Sequence, residues 1–163
     1  MNFNQIMVKM VFDRWHANIK NFDVLLNSIT DEQLQNEIAP GRNRGIYVLG
    51  HLVAVHDEMI TLLNLGEKKY PELKKIFIDT PDKATSEIPK AHELRSYWSN
   101  QGRELAQKFE SLQAEEWFER HTAVSAEDFV KEPHRNKLNI VLTRTTHLSY
   151  HTGQMILLKQ KEQ

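Results

Sequence analysis

Apolar residues recur at helical spacing in four long stretches of the chain. The first runs from about Gln5 to Ile29 without glycine or proline, and the second runs from Ile46 to Asn64. The third follows Pro89, which fits its first turn, and the fourth runs from about Asn136 to Lys159. Apolar residues three, four and seven positions apart share one face of an α-helix, so each stretch predicts an amphipathic helix. The inward stripe predicted for the third helix is Leu94, Trp98, Gln101, Leu105, Phe109 and Leu112.

Capping signals divide these helices from one another. Thr30, followed three residues later by Gln33, has the spacing of a capping box and predicts a short helical turn through Leu34. Gly66 suits the left-handed position after the second helix. Ser111–Phe118 predicts another capped turn.

One connection is much longer than the others. Residues 66–87 contain two prolines and many charges, which predicts an irregular link with a turn of helix around Leu73–Phe77. A link this long suits a crossover between two parallel helices. Residues 119–135 are the least periodic and form either a lid or a surface loop. No stretch alternates convincingly as a strand, so we expect an all-α helix bundle.

Length and charge narrow the class of protein. The 163 residues are near the usual size of one domain, so we expect a single domain over residues 1–163. A net charge of −1 without a basic block argues against a nucleic-acid partner. No apolar run reaches the roughly 18 residues of a membrane span. We therefore expect a soluble cytoplasmic protein.

The absence of cysteine directs attention to histidine as a metal ligand, because thiolate sites are excluded. His147 and His151 lie one helical turn apart, with Cβ atoms about 5–6 Å apart, and can share one ion. His51, on the inward arc of the second helix, is the candidate third ligand, whereas His56 and Glu58 should not reach that ion. A lone inward histidine is more often a hydrogen-bonded core residue. Spacing alone therefore leaves both interpretations open.

Two motifs resemble a known family. Gly50-His51-Leu52-Val53 in the second helix and the HxxxHxGQ stretch His147–Gln154 in the fourth resemble the DinB-like (YfiT-like) family of metalloenzymes. Trp15 and the Ser28–Leu34 turn extend the similarity over nearly the whole chain. The resemblance implies a four-helix bundle of up-down-down-up order, often dimeric, with a divalent metal held by His51, His147 and His151.

Three neutral imidazoles would leave coordination positions for a water or a thiol, whose pKa the ion would lower. Imidazole suits zinc first, with nickel or another transition metal as alternatives. Arg144, on the arc of the two C-terminal histidines, is a candidate for binding a substrate carboxylate, although a surface arginine with a buried stem is an alternative. Arg42 and Arg44 are candidates at the mouth of the site. Tyr150 and Gln154 are candidate hydrogen-bond partners behind the ligands.

Two functions follow. The first is a metal-dependent enzyme that transfers a thiol or hydrolyses a small electrophilic substrate, since the family includes transferases that use low-molecular-weight thiols. The second is a metal-binding or stress-related helical interaction module without turnover. An open coordination position would distinguish the enzyme from the module. The resemblance also implies a homodimer.

Overall fold

The computed structural model of the chain describes residues 1–159, and their regular structure is all-helical apart from two isolated β-bridges. Within this range four helices have at least 18 residues: α1 Phe3–Asn27, α3 Gly45–Leu62, α5 Ala91–Glu110 and α7 Lys137–Met155. The shorter elements are α2 Asp31–Leu34, α4 Leu73–Phe77, α6 Ala126–Lys131 and the 3-10 turns Ala114–Phe118 and Ile156–Leu158. The prediction of an all-α fold is confirmed. None of the helices in residues 1–159 is both long enough and apolar enough to cross a membrane.

Several predicted boundaries are confirmed. The Thr30 hydroxyl accepts a hydrogen bond from the Gln33 backbone N–H, and the Gln33 side chain accepts one from the Thr30 backbone, which is the predicted capping box. The predicted helical turn in the long connection is α4. Asn136 caps α7, because its side chain accepts from the Asn139 backbone N–H.

Other boundaries were predicted wrongly. α3 ends at Leu62, and Asn64, with φ 57°, is the first residue after it with a positive φ; Gly66 also has a positive φ, of 123°, but lies further from the helix end than predicted. Asparagine tolerates this conformation because its short polar side chain can bond locally. Pro89 precedes the helix instead of lying in its first turn, since Lys90 is the N-cap of α5. The predicted fourth helix gives way to a 3-10 turn after Met155.

The long helices contact one another side by side. α7 packs on α1 and α3, and α3 also packs on α5 and α4. α1 meets α5 through Phe22 and Trp98, whose ring centroids are 4.8 Å apart. The contacts therefore join α7 to α1 and α3, and α5 to α3 and, through this aromatic pair, to α1.

Polar contacts identify which helix ends lie together. Arg95, in the first turns of α5, donates to the carbonyl of Leu26 near the end of α1 at 2.8 Å. Lys108, near the end of α5, donates to the carbonyl of Leu65 just after α3 at 2.7 Å. α5 therefore begins beside the end of α1 and ends beside the end of α3.

The core forms two hydrophobic clusters along the same helices. One surrounds Phe22, Leu52, Leu94 and Leu148, and the other surrounds Met59, Leu105, Trp117 and Val141. Ile19 packs against both. The predicted stripe of α5 is confirmed over Leu94, Trp98, Gln101, Leu105 and Phe109, all buried, whereas Leu112 lies beyond the helix and is half-buried.

Residues 119–135 contain α6 and lie at the end of α3 that is remote from His51. The Thr122 backbone N–H donates to the Leu62 carbonyl at 3.0 Å, and its hydroxyl donates to the Thr61 carbonyl. Leu62 lies eleven positions after His51, which is about 16 Å along the helix at 1.5 Å per residue. The segment is therefore anchored away from the predicted metal ligands.

Candidate metal centre

Three histidines converge between α3 and α7. His51 lies in the second turn of α3, and His147 and His151 lie one turn apart in α7. Nε2 of His147 is 3.2 Å from Nε2 of His51 and 3.1 Å from Nε2 of His151. One nitrogen from each ring lies within 4.8 Å of the other two. The predicted triad is therefore brought together by the fold.

Hydrogen bonds behind two of the rings determine where their protons lie. Nδ1 of His51 is 2.8 Å from the carbonyl oxygen of Phe77, which can only accept, so this nitrogen carries the proton. Nδ1 of His151 is 2.8 Å from Oε1 of Gln154, another acceptor. In both neutral rings Nε2 is therefore left with its lone pair directed at His147.

Hydrogen bonding alone cannot satisfy all three Nε2 atoms. His147 can donate one proton from Nε2 to one neighbour, which leaves the Nε2 lone pair of the other neighbour close to it without a donor. Its Nδ1 is buried and has no hydrogen-bond partner within residues 1–159. A cation that accepts all three Nε2 lone pairs would remove the conflict. The three residues therefore fit the ligand set of a divalent ion.

Burial keeps the triad neutral. It lowers the pKa of His147 to about 4, with further lowering by the charges of His151, His51 and Arg144. Burial is also the main cause of the lowered pKa of His51 and of His151. Neutral imidazole is the form that ligates metal, so the three rings are in the binding form at pH 7.

Gly50 allows α4, in the long connection after α3, to pack close to His51. A Cβ added at Gly50 would lie 2.4 Å from ring carbons of Phe77, which is fully buried in α4. Only glycine lets α4 pack this closely on α3. That approach places the Phe77 carbonyl within hydrogen-bond distance of His51.

Of the three arginines predicted to bind substrate, Arg144 is the one whose charge acts on the triad histidines. It precedes His147 by one turn and is half-buried, and its Nε is buried with no hydrogen-bond partner in the described part of the chain. Burial lowers the pKa of its guanidinium, an effect that the charge of Glu58 opposes. Its positive charge lowers the pKa of His51 and His147.

Arg42 and Arg44, the other two arginines predicted to bind substrate, are placed differently from Arg144. Arg44 is the N-cap of α3, and its guanidinium pairs with Asp82 of the crossover at 2.7 Å. Asp82 also accepts from the Arg44 backbone N–H at 2.8 Å. Arg42 is exposed on its loop. Neither arginine hydrogen-bonds a triad residue within residues 1–159, so their substrate role stays a prediction.

Gln154 and Tyr150 form a chain behind His151. Gln154 accepts from the His151 ring through Oε1 and donates from Nε2 to the Tyr150 hydroxyl at 3.0 Å. Gln154 thus meets His151 directly as an acceptor, whereas the Tyr150 hydroxyl is linked to it through Gln154. The Tyr150 ring also packs edge-on against the His151 ring, with centroids 5.2 Å apart.

Sequence reasoning missed the Phe77 carbonyl, for which side-chain chemistry offers no signal. It also assigned no role to His56, which is 2% exposed in the core. His121 is a further buried histidine outside the triad.

Comparisons with known proteins bear on the family and the fold of the chain. The sequence model of the DinB superfamily, a protein family, matches residues 14–155 of this chain, a range that includes all three histidines. No curated protein matches the chain. A crystal structure of a conserved protein from Enterococcus faecalis has a similar fold, with a TM-score of 0.54 and 12% identity, over 96% of this chain and 98% of that one. The match to the family model covers most of the chain, which therefore belongs to the DinB superfamily.

Proposed function

We propose that this protein binds a divalent metal ion through His51, His147 and His151 and is a metal-dependent enzyme. Its reaction would be thiol transfer to, or hydrolysis of, a small electrophilic substrate. The observation that carries the proposal is the convergence of three Nε2 atoms, two of them on rings whose proton is committed to Nδ1.

Zinc is the first candidate, with nickel or another transition metal as alternatives, and the bound ion would supply Lewis-acid activation of a nucleophile at neutral pH. The protein's own residues would hold and orient the ligands. Phe77 and Gln154 fix the tautomer and direction of His51 and His151. Arg144 would bind an anionic group of the substrate, since its Nε is buried without a partner in residues 1–159.

Accessibility favours an enzyme over a closed structural site. All three histidines are partly exposed, and His147 lines an open depression on the surface of α7 together with Thr143, Thr146 and Tyr150. A small substrate, or a low-molecular-weight thiol, could therefore approach the ligands from this side.

The fold that would hold the site is a four-helix bundle of up-down-down-up order, with the crossover joining parallel α3 and α5. The contacts of α5 with the ends of α1 and α3 support this order. A homodimer and a cytoplasmic location are predicted as well, and light scattering would test the dimer.

Metal content tests the proposal directly. We expect about one equivalent of metal in untagged protein and its loss in His51→Ala and His147→Ala. His134→Ala is the matched control, because His134 is exposed and lies outside the triad. Metal well below one equivalent in the wild type, or retained metal in both triad variants, would contradict the site.

Turnover is tested separately from metal binding. A panel of small electrophiles is offered with several thiols, or with water alone, to metal-loaded protein and to protein stripped by a chelator. Metal-dependent turnover that disappears in His147→Ala is expected. A loaded protein without turnover would favour the binding module instead.

A further inference from the structure

His56 is packed between α1 and α5, away from the histidine triad. It lies in α3 and is only 2% exposed. Its ring centroid is 5.0 Å from those of Trp15 in α1 and Trp98 in α5. The side chain therefore contacts two indoles from two other helices.

These three rings line a cavity of about 440 Å³ between α1 and α5. This volume falls within the range of about 300–1,000 Å³ that is usual for small-molecule pockets. The residues that give it an apolar interior are Trp15, Ile19, Leu26, Trp98 and Ala106. The triad histidines are not among the residues that line it, so it is distinct from the candidate metal centre.

The His56 side chain lines the cavity, and its Nε2 is closed to solvent and has no hydrogen-bond partner among residues 1–159. A turn of the ring toward the cavity would bring this nitrogen to a bound ligand. A buried polar group without a partner is costly, which favours any ligand that supplies one. Burial lowers the pKa of His56 to about 3, so the ring is neutral at pH 7. A neutral ring has one donor and one acceptor nitrogen, which an uncharged hydroxyl group can match.

The charged residues of the cavity already have partners. Asp23 accepts from the indole N–H of Trp98 at 2.7 Å. Arg95 donates to one carboxylate and two backbone carbonyls, and Arg103 donates to two side chains of its own helix. His56 is thus the polar group in this cavity with a buried nitrogen still to satisfy, as judged over the described residues.

We propose that the α1–α5 cavity binds a planar aromatic small molecule that carries a neutral hydroxyl group, with His56 as its hydrogen-bond partner. Aromatic rings pack edge-to-face or offset against indole and imidazole, which suits a planar ligand between these walls. A hydroxyl both donates and accepts, so it can pair with either tautomer of a neutral histidine.

Gly102 provides a way to close the cavity. It lines the cavity from α5, and a Cβ added there would meet no heavy atom of residues 1–159 within 4 Å. Leucine at this position would project into open space, whereas alanine would leave most of the volume free. Gly102→Leu and Gly102→Ala are therefore a matched pair at one position.

Phenol and toluene are the probes, because they differ by a hydroxyl in place of a methyl group. Each is titrated into the full chain while the indole N–H resonances of Trp15 and Trp98 are followed by NMR. Trp117 does not line the cavity and serves as the internal reference. We expect saturable shifts at Trp15 and Trp98, with phenol binding about five- to tenfold more tightly, as one net hydrogen bond allows.

Two variants decide between this site and nonspecific binding. His56→Leu should remove the preference for phenol over toluene, and Gly102→Leu should abolish binding of both while Gly102→Ala retains it. The proposal is overturned if the wild type shows no saturable shift. It is also overturned if phenol is still preferred in folded His56→Leu, or if both probes bind Gly102→Leu as they bind the wild type.

Discussion

The ring N–H of His51 donates to the backbone carbonyl of Phe77 at 2.8 Å, across 26 positions of the chain. This bond joins the long crossover to the candidate metal centre. The partner that orients a ligating histidine also sets its tautomer and basicity. The crossover is therefore part of the site as well as a connection between helices.

Gly50→Ala should disturb the hydrogen bond between His51 and the Phe77 carbonyl by displacing α4. The new Cβ would lie 2.4 Å from the buried Phe77 ring, so α4 must shift away from α3. We expect a loss of about 1–3 kcal/mol in the free energy of unfolding, as for overpacked cores. Metal affinity should fall about 10- to 100-fold, since His51 loses its acceptor. Urea unfolding and competition with a chromogenic chelator measure the two effects.

Gly102→Ala is the control for this substitution. It also adds a methyl group inside a helix, but that Cβ meets nothing within 4 Å in residues 1–159. Alanine there should leave metal affinity unchanged and raise stability by up to about 1 kcal/mol. If Gly50→Ala behaves like Gly102→Ala in both measurements, Phe77 does not position His51.

Gln154 is expected to support His151 in the same way. Gln154→Leu keeps the approximate size of the side chain and removes the oxygen that accepts from the His151 ring. Metal affinity should fall about 10- to 100-fold. Tyr150→Phe should have a smaller effect, because the Tyr150 hydroxyl touches only Gln154 in this chain of contacts. Equal losses in the two variants would contradict the direct role of Gln154.

Much of this site is predictable from the sequence, for specific reasons. The spacing of His147 and His151 places them on one face of any helix, and the apolar arc of α3 directs His51 inward. The contribution of Phe77 is different, because it comes from a backbone carbonyl that every residue type possesses. Only the tertiary packing allowed by Gly50 selects that carbonyl.

The burial of His56 could not be predicted from the sequence, because the apolar pattern of α3 indicates only one inward arc. Neighbouring helices cover this helix on several sides, since α4, α5 and α7 all pack against it. His56 and Asp57 are consequently buried although they lie outside the apolar arc. Periodicity assumes a solvent-facing side, and a nearly surrounded helix does not have one.

Acid should destabilise the metal-free protein below about pH 6.5. Burial lowers the pKa of His56 to about 3 and that of His147 to about 4 from an ordinary value of 6.5. Between these values the unfolded chain binds protons that the native protein excludes, so stability rises with pH through this window. Each such histidine contributes up to about 1.4 kcal/mol per pH unit. Urea unfolding of chelator-stripped protein at pH 7, 6 and 5 measures the slope.

His56→Leu isolates one part of this pH dependence. The variant lacks the most deeply buried of these histidines, so its stability should fall less steeply between pH 6.5 and pH 5 than that of the wild type. His134→Ala, at an exposed position, should keep the wild-type slope. A wild-type stability that is constant over this range would show that these rings protonate in the native state.

Asp57 should be among the most sensitive positions outside the candidate metal centre. Its carboxylate is 1% exposed and accepts from the backbone N–H groups of Lys69 and Tyr70 at 3.0 and 2.9 Å. It also accepts from the Gln101 side chain at 3.0 Å. These bonds fix the start of the crossover against α3 and α5.

Removal of this carboxylate would leave three donors without their acceptor. Hydrogen bonds to charged groups contribute about 1.5–3 kcal/mol each and do not add fully, so Asp57→Ala should cost about 3 kcal/mol or more. Asp13→Ala is the control, because its ion pair with Lys9 is exposed to solvent and its loss should leave the free energy of unfolding nearly unchanged. Urea unfolding at pH 7 compares the two. A similar small loss in both would mean that water replaces the Asp57 carboxylate at the start of the crossover.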